Sequence, residues 1–144
     1  MATIELLTLA NHAEVQNGLL YLSGAGWDTI TRTYQEGEDP QPLHLGIAIS
    51  VLIPWSETNA RHRVEIWIED EDGQRGLLDQ SLDLEAGRPP GRIPGTDAHC
   101  PLAMNGTVGF PKDGGYRVCV KVGESQSSYA FRVEDRIMSL AGSS

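Results

Sequence analysis

Apolar residues recur at every second position in four stretches of the chain. Leu45, Ile47, Ile49, Val51 and Ile53 form one series, and Val64, Ile66 and Ile68 a second. Tyr116, Val118, Val120 and Val122 form a third, and Tyr129, Phe131 and Val133 a fourth. Successive side chains of a strand point to opposite faces, so this rhythm predicts half-buried strands. Less regular strands are expected at 3–10, 19–23, 27–33, 76–84 and 97–104, and Pro101 marks the last as an edge strand. Helical spacing is weak everywhere; residues 7–15 fit at most one short turn of helix.

Turn signals separate these runs. Asn17-Gly18, Asp72-Gly73, Asn105-Gly106 and Asp113-Gly114-Gly115 each lie between apolar stretches. Asn, Asp and Gly tolerate positive φ, so each site predicts a tight connection of hairpin type. About eight short strands with such punctuation predict an all-β fold, a two-sheet antiparallel immunoglobulin-like β-sandwich. The run from Phe110 to Val122 has the form of a turn followed by the penultimate strand of such a domain, with Tyr116 entering the core near the sheet corner. Residues 35–42 are acidic and contain two prolines. Residues 85–95 contain six Gly or Pro in eleven and predict a stiff crossover between sheets. The expected organisation is a single sandwich domain over 1–134 with a flexible C-terminal tail, 135–144.

Three stretches carry a family resemblance. Ala10-Asn11-His12-Ala13-Glu14-Val15, Gly18 through Trp27, and Pro54-Trp55-Ser56-Glu57-Thr58-Asn59 resemble an uncharacterised bacterial family of single-domain β proteins of similar length. Arg88-Pro89-Pro90-Gly91 fits the same pattern. The resemblance implies a β fold and a bacterial setting, and it assigns no residue a role.

Length and composition agree with a globular chain: 144 residues, 40% hydrophobic and 22% charged. Charge changes the functional picture more. The net charge is −9, and the first 72 residues account for all of it with twelve acids against three bases. Such a chain repels phosphate backbones and anionic membrane surfaces, which argues against nucleic acid or a membrane as partner. The chain opens without a basic region leading into an apolar run, so a cytoplasmic location is expected. Cys100 and Cys119 are expected as free thiols there. The Asn105-Gly106-Thr107 sequon carries little weight in that compartment.

Candidate chemistry is sparse. No nucleophile elbow, metalloprotease helix or phosphate loop is present. Gly24-Ala25-Gly26 starts like a dinucleotide fingerprint, but Thr29 replaces its third glycine and no helix follows; a bulge that redirects Trp27 is the expected role. His12, His44, His62 and His99 are scattered singly, without metal-ligand spacing. Asp70 and Asp72, with acids of the 35–39 loop, are the candidate ligands for calcium in a C2-like module. An EF-hand register fails there, since Ile68 falls where its first Asp must stand. A hydrolase with a carboxylate or histidine site assembled in space is a further alternative. No cofactor is implied.

Aromatic placement favours a non-enzymatic binding or assembly module acting through protein partners or self-association. Trp67 alternates away from Val64, Ile66 and Ile68 and falls among Arg63, Glu65 and Glu69. It is expected either to lie over Gly46, Ala48 and Ser50 of a neighbouring strand or to anchor a partner together with Leu52. Trp55 is expected to plug one end of the sandwich or to join a binding loop. Arg88 and Arg92 flank a stiff turn and could clamp an acidic group. Few charges on the 45–53 strand add a case for a homo-oligomer.

Overall fold

The Asn17-Gly18 pair takes positive φ at both residues, 51° and 75°, and folds the first two strands into a tight hairpin. In the computed structural model, which describes residues 1–139, these are β1 (Thr3–Gln16) and β2 (Leu19–Ala25). Then come β3 (Thr29–Gln35), β4 (Leu43–Ile53), β5 (Arg61–Asp70), β6 (Leu78–Glu85), β7 (Ala98–Val108), β8 (Gly114–Val122) and β9 (Ser125–Met138). One 3-10 turn, Trp55–Glu57, follows β4.

The strands form two sheets, in the orders β2-β1-β4-β7 and β3-β9-β8-β5-β6. The alternating series supplies the core between them. Leu45, Ile47, Ile49, Val51 and Ile53 face Val64, Ile66, Ile68, Val118, Val120 and Val122, all almost fully buried. Phe110, Tyr116 and Phe131 close one end with ring centroids 4.8 to 5.9 Å apart. Tyr116 lies near the start of β8 and donates its hydroxyl to Lys112 O at 2.5 Å, the tyrosine corner of immunoglobulin-like sandwiches.

Several expectations need correction. The first sheet is antiparallel, but the second is mixed, because β3 runs parallel to β9. Hairpins make only three of the eight connections between the nine strands; the other five cross from one sheet to the other. Asp113 ends one of these crossovers and Gly114-Gly115 open β8, while Asn105-Gly106 lies inside β7. Residues 7–15 are strand, not helix. Asp135 is no frayed tail residue either, since β9 continues to Met138. Residues 140–144 of the expected tail lie outside the described residues. The 85–95 crossover between sheets and the edge position of the Pro101 strand are as expected.

The two strands of 45–53 and 61–70 belong to different sheets, so Trp67 does not lie over Gly46, Ala48 and Ser50. The low charge of β4 has its own cause. It is a central strand between β1 and β7, and even its outward Ala48 and Ser50 are buried.

Candidate functional site

At one end of the sandwich the 3-10 turn and the Pro/Gly crossover meet. The Arg88 guanidinium stacks 4.0 Å above the Trp55 ring. Its Nε donates to Thr58 Oγ1 at 2.5 Å and its Nη2 to Trp55 O at 2.7 Å. Arg92 Nη2 donates to Asp97 O at 2.7 Å, and Asp97 Oδ1 accepts from the Trp55 backbone N–H. Three of the residues singled out in the sequence therefore do converge, but both arginines are engaged in holding the crossover against the turn. The stiffness of the Pro-Pro segment makes this docking cheap in entropy.

Trp67 lies on the outer face of the second sheet, opposite Cys119 of β8 and Asp79 of β6. It is only 3% exposed, because the Arg75 guanidinium covers the ring at 3.9 Å. Its Nε1 donates to Glu69 Oε2 at 3.1 Å, and Glu69 also accepts from Arg117 Nη2. The indole N–H, followed by Arg117, holds the Glu69 carboxyl below the ordinary carboxylate range. Burial pushes the Cys119 thiol up, away from the thiolate form. Leu52 is half-buried in the other sheet, between Thr3 and His99, so the pair expected to form one anchor is separated.

A cavity of about 510 Å³ opens beside the start of β8, lined by Asp28, Asp70, Glu71, Tyr116, Arg117 and Arg132 among others. Its polar groups are largely occupied. Asp70 Oδ1 accepts from the backbone N–H of Asp72 and of Gln74, both at 2.9 Å, and so stabilises its own turn. Glu71 Oε1 accepts from Gly115 N–H at 2.6 Å. The acids of the 35–39 loop follow the far end of β3, away from Asp70. Among the described residues no three His, Cys, Asp or Glu side chains are grouped to hold a metal.

One serine, histidine and carboxylate do meet. A β-bulge between Ile4 and Leu6 turns Glu5 outward over β4 and β7. Glu5 Oε1 accepts from Ser50 Oγ at 2.6 Å and contacts His99 Nδ1 at 2.7 Å. In a hydrolytic triad the imidazole stands between hydroxyl and carboxylate. Here the carboxylate stands between the other two. The Ser50 and His99 hydrogen bonds, in that order, hold its pKa below the ordinary value. The arrangement ties three strands of the first sheet together.

The remaining feature was not singled out by sequence reasoning. Ladder pairing between β1 and β4 ends at Ala10 and Gly46, yet β1 and β2 run on as a pair. The resulting two-stranded arm is anchored by Asn105 of β7, whose Oδ1 accepts from Ala13 N–H at 2.9 Å and whose Nδ2 donates to Ala13 O at 2.6 Å. From Glu14 to Gly26 every residue but Leu20 is exposed. Val15, Leu19, Tyr21 and Leu22 thus present apolar side chains to solvent, Leu19 at 59% and Tyr21 at 48% exposure. The signal available was the apolar run Leu19-Leu20-Tyr21-Leu22 beside an Asn-Gly turn. It predicts the strand but not that both of its faces stay open.

Gly24 and Gly26, with φ of 65° and 91°, end the arm as the chain leaves one sheet for the other. A Cβ at Gly24 would overlap the Asn11 side chain. Trp27 then packs edge-on against Phe131, 6.3 Å between centroids. These features define an immunoglobulin-like two-sheet sandwich that carries a projecting hairpin. Residues 5–134 match a family described as a family of unknown function (DUF6941), and the chain belongs to that family. No curated protein matches it. No helix among the described residues is long and apolar enough to cross a membrane.

Proposed function

We propose that the chain is a non-enzymatic binding or assembly module that works through protein–protein contact, with the β1–β2 arm as its contact element. One observation carries this reading: both faces of the ribbon expose apolar side chains, Leu19 and Tyr21 on one and Val15 and Leu22 on the other, and the ribbon packs against little else. Single exposed apolar side chains are ordinary, but here each face of one short hairpin carries a pair, and exposed apolar surface of this kind marks interaction sites. An isolated two-stranded hairpin is also marginal in water, so a partner that covers it supplies order as well as contact.

Other groups that sequence reading nominated support this division of labour. Trp67 is covered by Arg75, and Arg88 and Arg92 each donate hydrogen bonds within the chain, whereas the arm is left open. A photo-crosslinking amino acid at Leu22, in the chain produced in its native cells, tests the reading. Protein adducts are expected, and Val15→Asp, on the same face of the ribbon, should abolish them. A chain that yields no protein adduct from the arm is not a module of this kind.

A further inference from the structure

We infer that the occupant of the arm is a second copy of this chain, joined through antiparallel pairing of β2 with β2 about a two-fold axis at Tyr21. This deepens the protein-contact reading and rests on it.

The argument starts from the free edge. β2 is the outer strand of its sheet, and only β1 pairs with it. Natural edge strands are normally blunted by charged side chains, proline or a covering loop. From Leu19 to Ala25 this strand has neither a charge nor a proline, and every residue but Leu20 is exposed. In a hairpin with a two-residue turn the residues flanking the turn exchange both hydrogen bonds, and bonded pairs then alternate. With Gln16 opposite Leu19, the bonded pairs fall at Leu19, Tyr21 and Ser23. Leu20 and Leu22 therefore direct their N–H and C=O groups to the open side.

That pattern is self-complementary. With Tyr21 opposite Tyr21 of the second copy, Leu20 lies opposite Leu22 and both exchange hydrogen bonds. The two tyrosines then form the closer, non-bonded pair, whose side chains meet. On the other face Leu20 and Leu22 of both copies lie side by side, flanked by Val15 on each outer strand. A closed two-fold interface of this type uses the same patch on both partners. Charge narrows the choice of partner further. Each copy carries −9, so two copies repel wherever acidic surfaces meet. β2 itself carries no charge, so its edge is where two copies approach with less of that cost, with Glu14 of β1 one strand back, opposite Tyr21. A single strand edge covers less than a standard interface of ~1,600 Å², so association in the micromolar range is expected.

Sedimentation of the purified full chain across micromolar concentrations should show a monomer–dimer equilibrium. Tyr21→Cys should oxidise to a covalent dimer, because its register mate is itself. Leu19→Cys alone should not, whereas Leu19→Cys mixed with Ser23→Cys should. Wild type, whose Cys100 and Cys119 are half-buried and buried, controls for background. Leu20→Pro removes an outward N–H without touching the β1 ladder and should weaken association at least about tenfold. Tyr21→Lys, which sets two like charges on the axis, should do the same if proline disturbs the hairpin. A chain that stays monomeric, or a dimer in which Tyr21→Cys does not cross-link, overturns the inference. If that chain still gives protein adducts from the arm in cells, contact with a different protein stands and only the homotypic pairing falls. If it gives none, both readings fall.

Discussion

Arg32 is 5% exposed, and a buried guanidinium is tolerable only if its hydrogen bonds are met. They are: Nε and Nη2 donate to the two Asp135 oxygens at 2.7 and 3.0 Å, and Nη1 donates to Phe110 O at 2.7 Å. Tyr34 adds a hydroxyl to Asp135 Oδ2 at 3.0 Å. Arg32, followed by Tyr34, holds the Asp135 carboxyl below the usual carboxylate range. Asp135→Asn leaves the buried cation unbalanced and should cost about 3 kcal/mol, near 10 °C in Tm. A lowered folded-state pKa gives stability that is present above the unfolded value and lost as pH falls through the folded one. The Tm gap between wild type and Asp135→Asn should therefore hold from pH 7 to about 5 and shrink below about 4. A constant gap down to pH 2 would show that the charge is not the cause. Sequence reading could not find this pair. Arg32 and Asp135 are 103 positions apart, and an Asp set between Glu134 and Arg136 reads as part of a solvated charged run.

At the scale of elements, composition predicts strands well where one face is buried and poorly where tertiary contact reassigns a turn signal. The four alternating series became β4, β5, β8 and β9 because burial on one face fixes register. Asn105-Gly106 failed as a turn because the Asn105 amide is used laterally, as a clip on Ala13. The clip needs the missing side chain at Gly46, where a Cβ would come within 2.8 Å of Asn105 Oδ1 and 3.0 Å of Ala13 N. Asn105→Ala should leave the buried Ala13 backbone groups unpaired, at a cost of about 2 kcal/mol. Amide exchange should rise across residues 11–25 and stay unchanged in β5 and β8. Equal acceleration everywhere would mean that Asn105 supports the whole sandwich, not the arm.

For the molecule as a whole, the sequence showed two layers and a lack of assembled catalytic motifs, but not which surface is left open. Trp67 is placed on the polar outer face by its charged strand neighbours, which leaves its cover open; a residue eight positions on, Arg75, supplies it. The arm looked like an ordinary hairpin because exposure on both faces depends on where the second sheet stops. Net charge gives a discriminating prediction at this scale. If copies meet through an uncharged strand against a background of −9 each, added salt screens the repulsion. Dimerisation should then tighten between about 0.01 and 0.15 M salt, where the Debye length falls from about 30 to about 8 Å. Weakening over that range, measured by sedimentation, would point to attraction between opposite charges instead.

Since the hairpin leaves the first sheet and returns beside itself before the chain crosses to the second, its reach is decoupled from the packing of the interior. Each matched pair of residues inserted behind the Asn17-Gly18 bend would extend the tip by about 3.4 Å and reverse which side chains look up and which look down. A longer ribbon would thus change the surface it presents while the layer of aliphatic side chains between the two sheets stays as it is.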